Sequence, residues 1–161
     1  MITIRQSVLA DGAELARIDL VTWTAEVSPA PPPSDPSTYA FFSEHTLPGN
    51  TLVASLGGVL VGYLKLQPAS LPARAHVIEI CGLAVDPASQ GRGVGYRLIE
   101  AAVEQAVRHG AHKVSLRVLG PNLRARRLYE GCGFVVEGVL REEFWLDGRY
   151  VDDVVMARAL P

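Results

Sequence analysis

Glycines alternate with other residues in Gln90-Gly91-Arg92-Gly93-Val94-Gly95, directly before a long apolar-patterned segment. Such a loop exposes backbone N–H groups. Where it opens a helix, the first-turn amides lack intrahelical acceptors, and the macrodipole adds partial positive charge. Glycines let an anion approach closely, so phosphate is the expected guest. Two familiar phosphate sites do not fit. A P-loop requires G-x-x-x-x-G-K-[ST], and this loop has neither the lysine nor the Ser or Thr. A dinucleotide fingerprint requires G-x-G-x-x-G near the first strand, with an acidic residue about 20 positions on. Here the spacing is G-x-G-x-G, deep in the chain.

A second chemical feature lies upstream. Glu79 interrupts the apolar run Val77-Ile78-Glu79-Ile80-Cys81. An ionised carboxylate in an apolar strand is costly and calls for a reason. One reason is to accept a proton during a reaction. The other is a cavity-facing carboxylate that binds water or orients a substrate. Cys81 and Cys132 lack Cys or His partners at zinc spacing and read as small buried hydrophobes. His45, His76, His109 and His112 are scattered, so no metal is expected.

The elements that must position these groups follow from periodicity. Ile2 to Ser7 begins as a strand. Asp11 caps a helix over Gly12 to about Val21, with Leu15, Ile18 and Ala16 inward. The proline-rich patch Ser28–Pro36 suits a loop or flap. Asp35 or Ser37 then starts a second helix through Glu44, its apolar side carrying Tyr39, Ala40 and Phe42. Thr51–Leu56, Gly57-Gly58 and Val59–Leu66 form a hairpin. Val77–Val85 is a strand in which Gly82 marks a bulge or a close approach. Val94–His109 is the strongest helix, closed by Gly110. Lys113–Val118 alternates as a strand, and Asn122 caps a short helix ending at Gly131. Asp147-Gly148 turns the last hairpin, Phe134–Leu146 with Arg149–Ala157. The expected order is β-α-α-β-β-β-α-β-α-β-β, an α/β fold with a mixed, mostly antiparallel sheet and helices on both faces.

At 161 residues one domain, 1–161, is expected. Apolar residues make up 48% and the formal net charge is −2, which gives no basic field for nucleic acid. Apolar runs fall short of the roughly 20 residues of a membrane span. The segment MITIRQSVLADGAEL carries charges where a signal peptide needs an apolar core. The expectation is a cytoplasmic protein.

The loop, following Leu83-Ala84-Val85-Asp86-Pro87, resembles the coenzyme A site of the GNAT superfamily of N-acetyltransferases, whose signature is Q/R-x-x-G-x-G/A. Gln90, Gly93 and Gly95 match it. Asn122 to Phe134 matches the family's N-x-x-A-x-x-L-Y-x-x-x-G-F at every fixed position, through Asn122, Ala125, Leu128, Tyr129, Gly133 and Phe134. The resemblance covers about Ala75 to Phe134. It implies a sheet splayed in the middle and acetyl-CoA as co-substrate. The amides from Gln90 through Gly95 (with Gly91 and Val94) would hold the pyrophosphate, and Arg92 could add charge. Leu83, Ala84 and Val85 would line the pantetheine arm through strand-like bonds of Leu83 and Val85, the Val85 N–H facing the thioester oxygen. Tyr129 would protonate the coenzyme A sulfur. Glu79, eleven residues before Gln90, would be the base, although many relatives use ordered water. Asn122 would cap its helix and touch the pantetheine. Arg124, Arg126 and Arg127 read as an exposed face or as partners of the 3′-phosphate.

Acceptor specificity in this family comes from the first helices and the last hairpin, so Trp23, Glu26, Tyr39, Phe42 and Arg141 are candidate substrate residues. Arg141 could receive a carboxylate. The last hairpin looks like that of bacterial members that acetylate free amino acids or related small amines. The implied function is acetyl transfer to a primary amine of a small molecule. Alternatives are a protein N-terminal or lysine acetyltransferase, and an acyl-CoA-binding sensor with little turnover. Homodimers are common in the family, but no contact surface is legible here.

Overall fold

The sheet is built from alternating apolar segments that must bury one face or both. The computed structural model describes residues 1–161. Strands β1 (Ile2–Gln6), β2 (Thr51–Leu56), β3 (Val59–Pro68), β4 (Val77–Val85), β5 (Lys113–Leu119), β6 (Val135–Leu146) and β7 (Arg149–Ala159) form one seven-stranded sheet. Its spatial order is β1-β2-β3-β4-β5-β7-β6. Every neighbouring pair is antiparallel except β4 with β5. A parallel pair needs a crossover, and helix α2 (Val94–Arg108) supplies it. Helix α1 (Gly12–Thr22) follows β1, and helix α3 (Leu123–Gly131) follows β5.

Alternation in the strands divides the core. Leu52, Ala54, Leu64, Val114, Leu116 and Val118 face the α2 stripe of Val94, Leu98, Ile99, Ala102, Val103 and Ala106. On the other face Val53 and Tyr63 pack with Leu15, Ala16 and Ile18 of α1 and with Phe41. The mixed sheet with helices on both faces is therefore as expected. The Asp147-Gly148 turn has positive φ at both residues, 49° and 76°, which matches the twist of a two-residue hairpin.

Three expectations need correction. The second helix does not form. Only a 3₁₀ turn, Pro36–Thr38, appears, with the Asp35 side chain accepting from the Ser37 amide at 3.0 Å. Prolines through Pro36 leave no room for a helix to nucleate, and Tyr39 is drawn off in extended backbone. In consequence Ala40 is exposed and Phe41, not read as inward, is buried. The order is thus β-α-β-β-β-α-β-α-β-β. Asp11 precedes α1 but does not cap it with its side chain. Its carboxylate instead accepts from the Val8 amide at 2.8 Å and from the Arg5 guanidinium at 2.8 Å through both oxygens. Of the two cysteines Cys132 is buried as expected, whereas Cys81 is exposed, for a reason that belongs to the site.

Candidate active site

Strand β4 is paired to β5 only over Val77–Ile80. Beyond Ile80 the two strands part, and Cys81–Val85 has no partner on that side. On its other side β4 stays paired to β3, with the register shifting between Ile80 and Gly82. Cys81 is the bulged residue, its Sγ 3.6 Å from the Lys65 carbonyl. The bulge turns Cys81 outward instead of into the core.

Which way the β4 backbone points follows from one bond. The Asp86 amide donates to the Val61 carbonyl at 2.8 Å. Antiparallel pairing alternates, so Ala84 and Gly82 turn their polar groups to β3. Leu83 and Val85 turn theirs the opposite way, into the gap left by β5. The Val85 carbonyl confirms this, accepting from Gln90 Nε2 at 3.0 Å. The Leu83 and Val85 side chains pack toward the α2 core. The gap is thus edged by strand-type donors and acceptors, of which only the Val85 carbonyl is taken, by Gln90.

At the end of β4, Asp86 caps the 3₁₀ turn Pro87–Ser89 by accepting from the Ala88 amide at 3.0 Å. Arg17 of α1 grips the same carboxylate and holds its pKa below the ordinary value. The glycine loop follows. Gly91 and Gly93 have φ of +77° and +82°, which other L-residues rarely adopt. A Cβ on either would meet nothing within 4 Å, so the space over the loop is open. The Gln90 amide, expected in the anion-binding set, instead donates to the Pro87 carbonyl at 3.4 Å and closes the 3₁₀ turn, whereas from Gly91 through Tyr96 no backbone amide donates to a protein acceptor, and the first bond of α2 runs from Arg97 to the Gly93 carbonyl at 3.1 Å. Six consecutive amides at a helix start form a cradle for an anion. Arg92 is exposed beside it. Gly95 has a different task. A Cβ there would come within 2.8 Å of Leu128 Cδ2, so glycine lets α2 and α3 meet closely.

Gln90 joins these parts. Its Nε2 holds Val85, and its Oε1 accepts from Arg124 in the first turn of α3. Arg124 is thereby tied to the loop. Asn122 caps α3, its Oδ1 accepting from the Ala125 amide at 3.2 Å. Tyr129, one helical face on, is buried against Phe134 with ring centroids 5.8 Å apart. Its hydroxyl makes no protein hydrogen bond, and burial pushes its pKa well up. The phenol therefore stays protonated.

On the opposite face Tyr39, Trp23 and Phe42, expected from the sequence, meet Asp19, Tyr63 and Phe41, which were not. Asp19 accepts from both Tyr39 and Tyr63 hydroxyls. Phe41 packs edge-on to Tyr63 at 4.8 Å, and Trp23 to Tyr39 at 5.8 Å. Trp23 Nε1 also donates to the Ala30 carbonyl at 3.0 Å, pinning the proline-rich flap. Phe42 packs on Phe41 and Gly12. Glu79 is half-buried on this face and forms no ion pair. Glu26 is exposed, and Arg141 holds Asp152 at 2.9 Å on the last hairpin. The structure thus gathers Trp23, Tyr39, Phe42 and Glu79 on the α1 face. Around the loop, Gln90 is bonded to Arg124 and Gly95 abuts Leu128, which brings α3, the helix carrying Asn122, Ala125 and Tyr129, against α2.

A model of the acetyltransferase (GNAT) family matches residues 14–134. The chain belongs to that family. A spermidine N(1)-acetyltransferase of Vibrio cholerae is 37% identical over 94 residues, 58% of this chain and 53% of that protein. An L-amino acid N-acetyltransferase of Escherichia coli is 32% identical over 66% of each chain. The chain thus spans between half and two thirds of the length of these two relatives. An N-alpha-acetyltransferase of Mycobacterium tuberculosis is 33% identical over 91% of this chain and 87% of that one. A crystal structure from Streptococcus mutans shares the fold with a TM-score of 0.84 at 27% identity, over 99% of each chain.

Proposed function

We propose that the protein is an acetyl-CoA-dependent N-acetyltransferase acting on a primary amine of a small molecule. The observation that carries this reading is the joining of two features. A cradle of six free amides ends a strand whose Leu83 and Val85 backbone opens into a gap. A pyrophosphate fits the first and an amide-bearing arm fits the second. The residues present therefore suit coenzyme A. Bound acetyl-CoA supplies an activated thioester.

The chain's own groups do the rest. The Val85 N–H, turned into the gap, donates to the carbonyl oxygen as charge grows on it. The amine nitrogen bonds to the acyl carbon while the C–S bond breaks. Glu79, or water beside it, takes the proton the nitrogen loses. Tyr129 gives its proton to the departing sulfur, a role that a phenol held protonated by burial can fill. Asn122 and Gln90 fix the α3 helix that carries it.

The test is thiol release from acetyl-CoA across amino acids, polyamines and short peptides. Release with small amines supports the reading. Release with peptides alone would move the acceptor to proteins, and coenzyme binding without release would favour a sensor.

A further inference from the structure

Lys65 lies on the α1 face of β3 and is not explained by the chemistry above. Its side chain crosses β4 directly over Gly82: a Cβ on that glycine would fall 2.5 Å from Lys65 Cε and 3.5 Å from Nζ. The backbone of Gly82 does not require glycine, since its φ is not positive. The glycine leaves room for the lysine to pass. Gly82 stands just beyond Ile80, where pairing to β5 has ended, so the ammonium lies over the part of β4 that borders the gap.

The ammonium sits 5.5 Å from the Phe41 ring centroid and 5.9 Å from that of Tyr63. These contacts orient it. They leave its three N–H donors without a protein acceptor, and no carboxylate pairs with it. The other lysine, Lys113, is paired with Glu137. The nearby acids are otherwise placed. Asp19 is engaged by two phenols, and Glu79 stands across the Cys81 bulge on the same face, opposite Gln67. Burial raises the pKa of the Cys81 thiol, with Lys65 acting against that rise and Glu79 adding to it. One cation and one anion, unpaired with each other, thus flank the point where the strands part. A zwitterion matches that pattern, whereas a polyamine would bring its charges against a fixed ammonium. Arg141, the other candidate for a substrate carboxylate, already carries Asp152.

We infer that Lys65 recognises a carboxylate on the acceptor, so that the amine acetylated here belongs to an amino acid or a similar carboxylate-bearing amine. This rests on the acetyltransferase reading. The test pairs L-phenylalanine and L-methionine with their decarboxylated amines, with spermidine as a third class. Two readouts are taken: kcat/KM from thiol release, and calorimetric binding of each acceptor to protein saturated with coenzyme A. The wild-type protein prefers the amino acid over its decarboxylated partner by about tenfold or more. In Lys65→Met that ratio falls by about tenfold or more toward unity, carried mainly by KM, and Lys65→Arg keeps it within about threefold. A ratio unchanged in Lys65→Met, or a wild-type preference for spermidine or the decarboxylated amines, overturns the assignment. If no amine is acetylated, the transferase reading fails by itself. The binding arm then still decides: carboxylate-dependent binding lost in Lys65→Met supports Lys65, and its absence in the wild type overturns it.

Discussion

Tyr129 is where the proposed chemistry is most exposed to test. Its hydroxyl has no structural bond to lose. Tyr129→Phe should therefore lower kcat by about a hundredfold or more, the usual size of a general-acid contribution. Coenzyme binding, read by calorimetry, should stay within about threefold. The pH dependence has a definite sign. Burial raises the phenol above its ordinary value of about 10, so it remains protonated through the neutral and mildly alkaline range. A pH profile of kcat should show no fall from this group below about pH 10. A Tyr129-dependent fall near neutrality would contradict the role. The site's residues were unevenly legible in the sequence. Gln90, Gly93, Asn122 and Tyr129 stand in two short motifs whose spacing is fixed by a loop and one helix. Asp19, Tyr63 and Lys65 come from α1 and β3, and only the fold brings them together. Asp19 did leave a trace: it lies four residues after Leu15 and one after Ile18, on the buried stripe of α1. An acid there signals a partner. Nothing in β3 alone tells which of its two faces meets α1.

At the scale of elements, the glycine loop and its helix form a single device in which each glycine has its own reason. Gly93→Val forces a β-branched residue into φ +82°, at about 1–2 kcal/mol, and places bulk over the open cradle. Coenzyme affinity should fall at least about tenfold, with most of the melting temperature retained. Gly95→Val acts differently. Its Cβ would strike Leu128 and push α3 from α2, costing about 1–3 kcal/mol by thermal or urea unfolding. If Gly95→Val weakened coenzyme binding without touching stability, the division of roles would be wrong. The same elements show why boundaries were readable. Val94 to Ala106 repeats with helical period, and Lys113 to Val118 alternates, so both patterns dictate one burial solution. The segment 35–44 carried an apolar pattern of helical spacing but followed a proline-rich stretch. Its fate was set by long-range contacts, Tyr39 to Asp19 and Phe41 to Tyr63, which local pattern does not contain.

Across the whole molecule, ion pairs fasten both local and distant parts of the chain, and acid should undo them. Asp11 is nearly buried, and the Arg5 guanidinium is the main cause of its lowered pKa. A carboxylate depressed in the folded state contributes stability that is present above its unfolded pKa of about 3.9 and is lost as pH falls through the folded value. Asp86, held down by Arg17, acts in the same sense and links α1 to the loop. Asp11→Asn should cost about 1–2 kcal/mol at pH 7, kept modest because Arg5 is 44% exposed. The difference from wild type should shrink below about pH 4 in denaturant titrations. No helix of the chain is long and apolar enough to cross a membrane. Acetyl transfer in the gap between β4 and β5 is what joins these parts into one function. Its most direct measurement is mass spectrometry of an amino-acid acceptor after incubation with acetyl-CoA and enzyme, with free thiol counted in parallel. One N-acetylated product is expected for each thiol released, with formation slowed about a hundredfold in Tyr129→Phe. Coenzyme bound at the glycine loop with no amide formed from any small amine would contradict it.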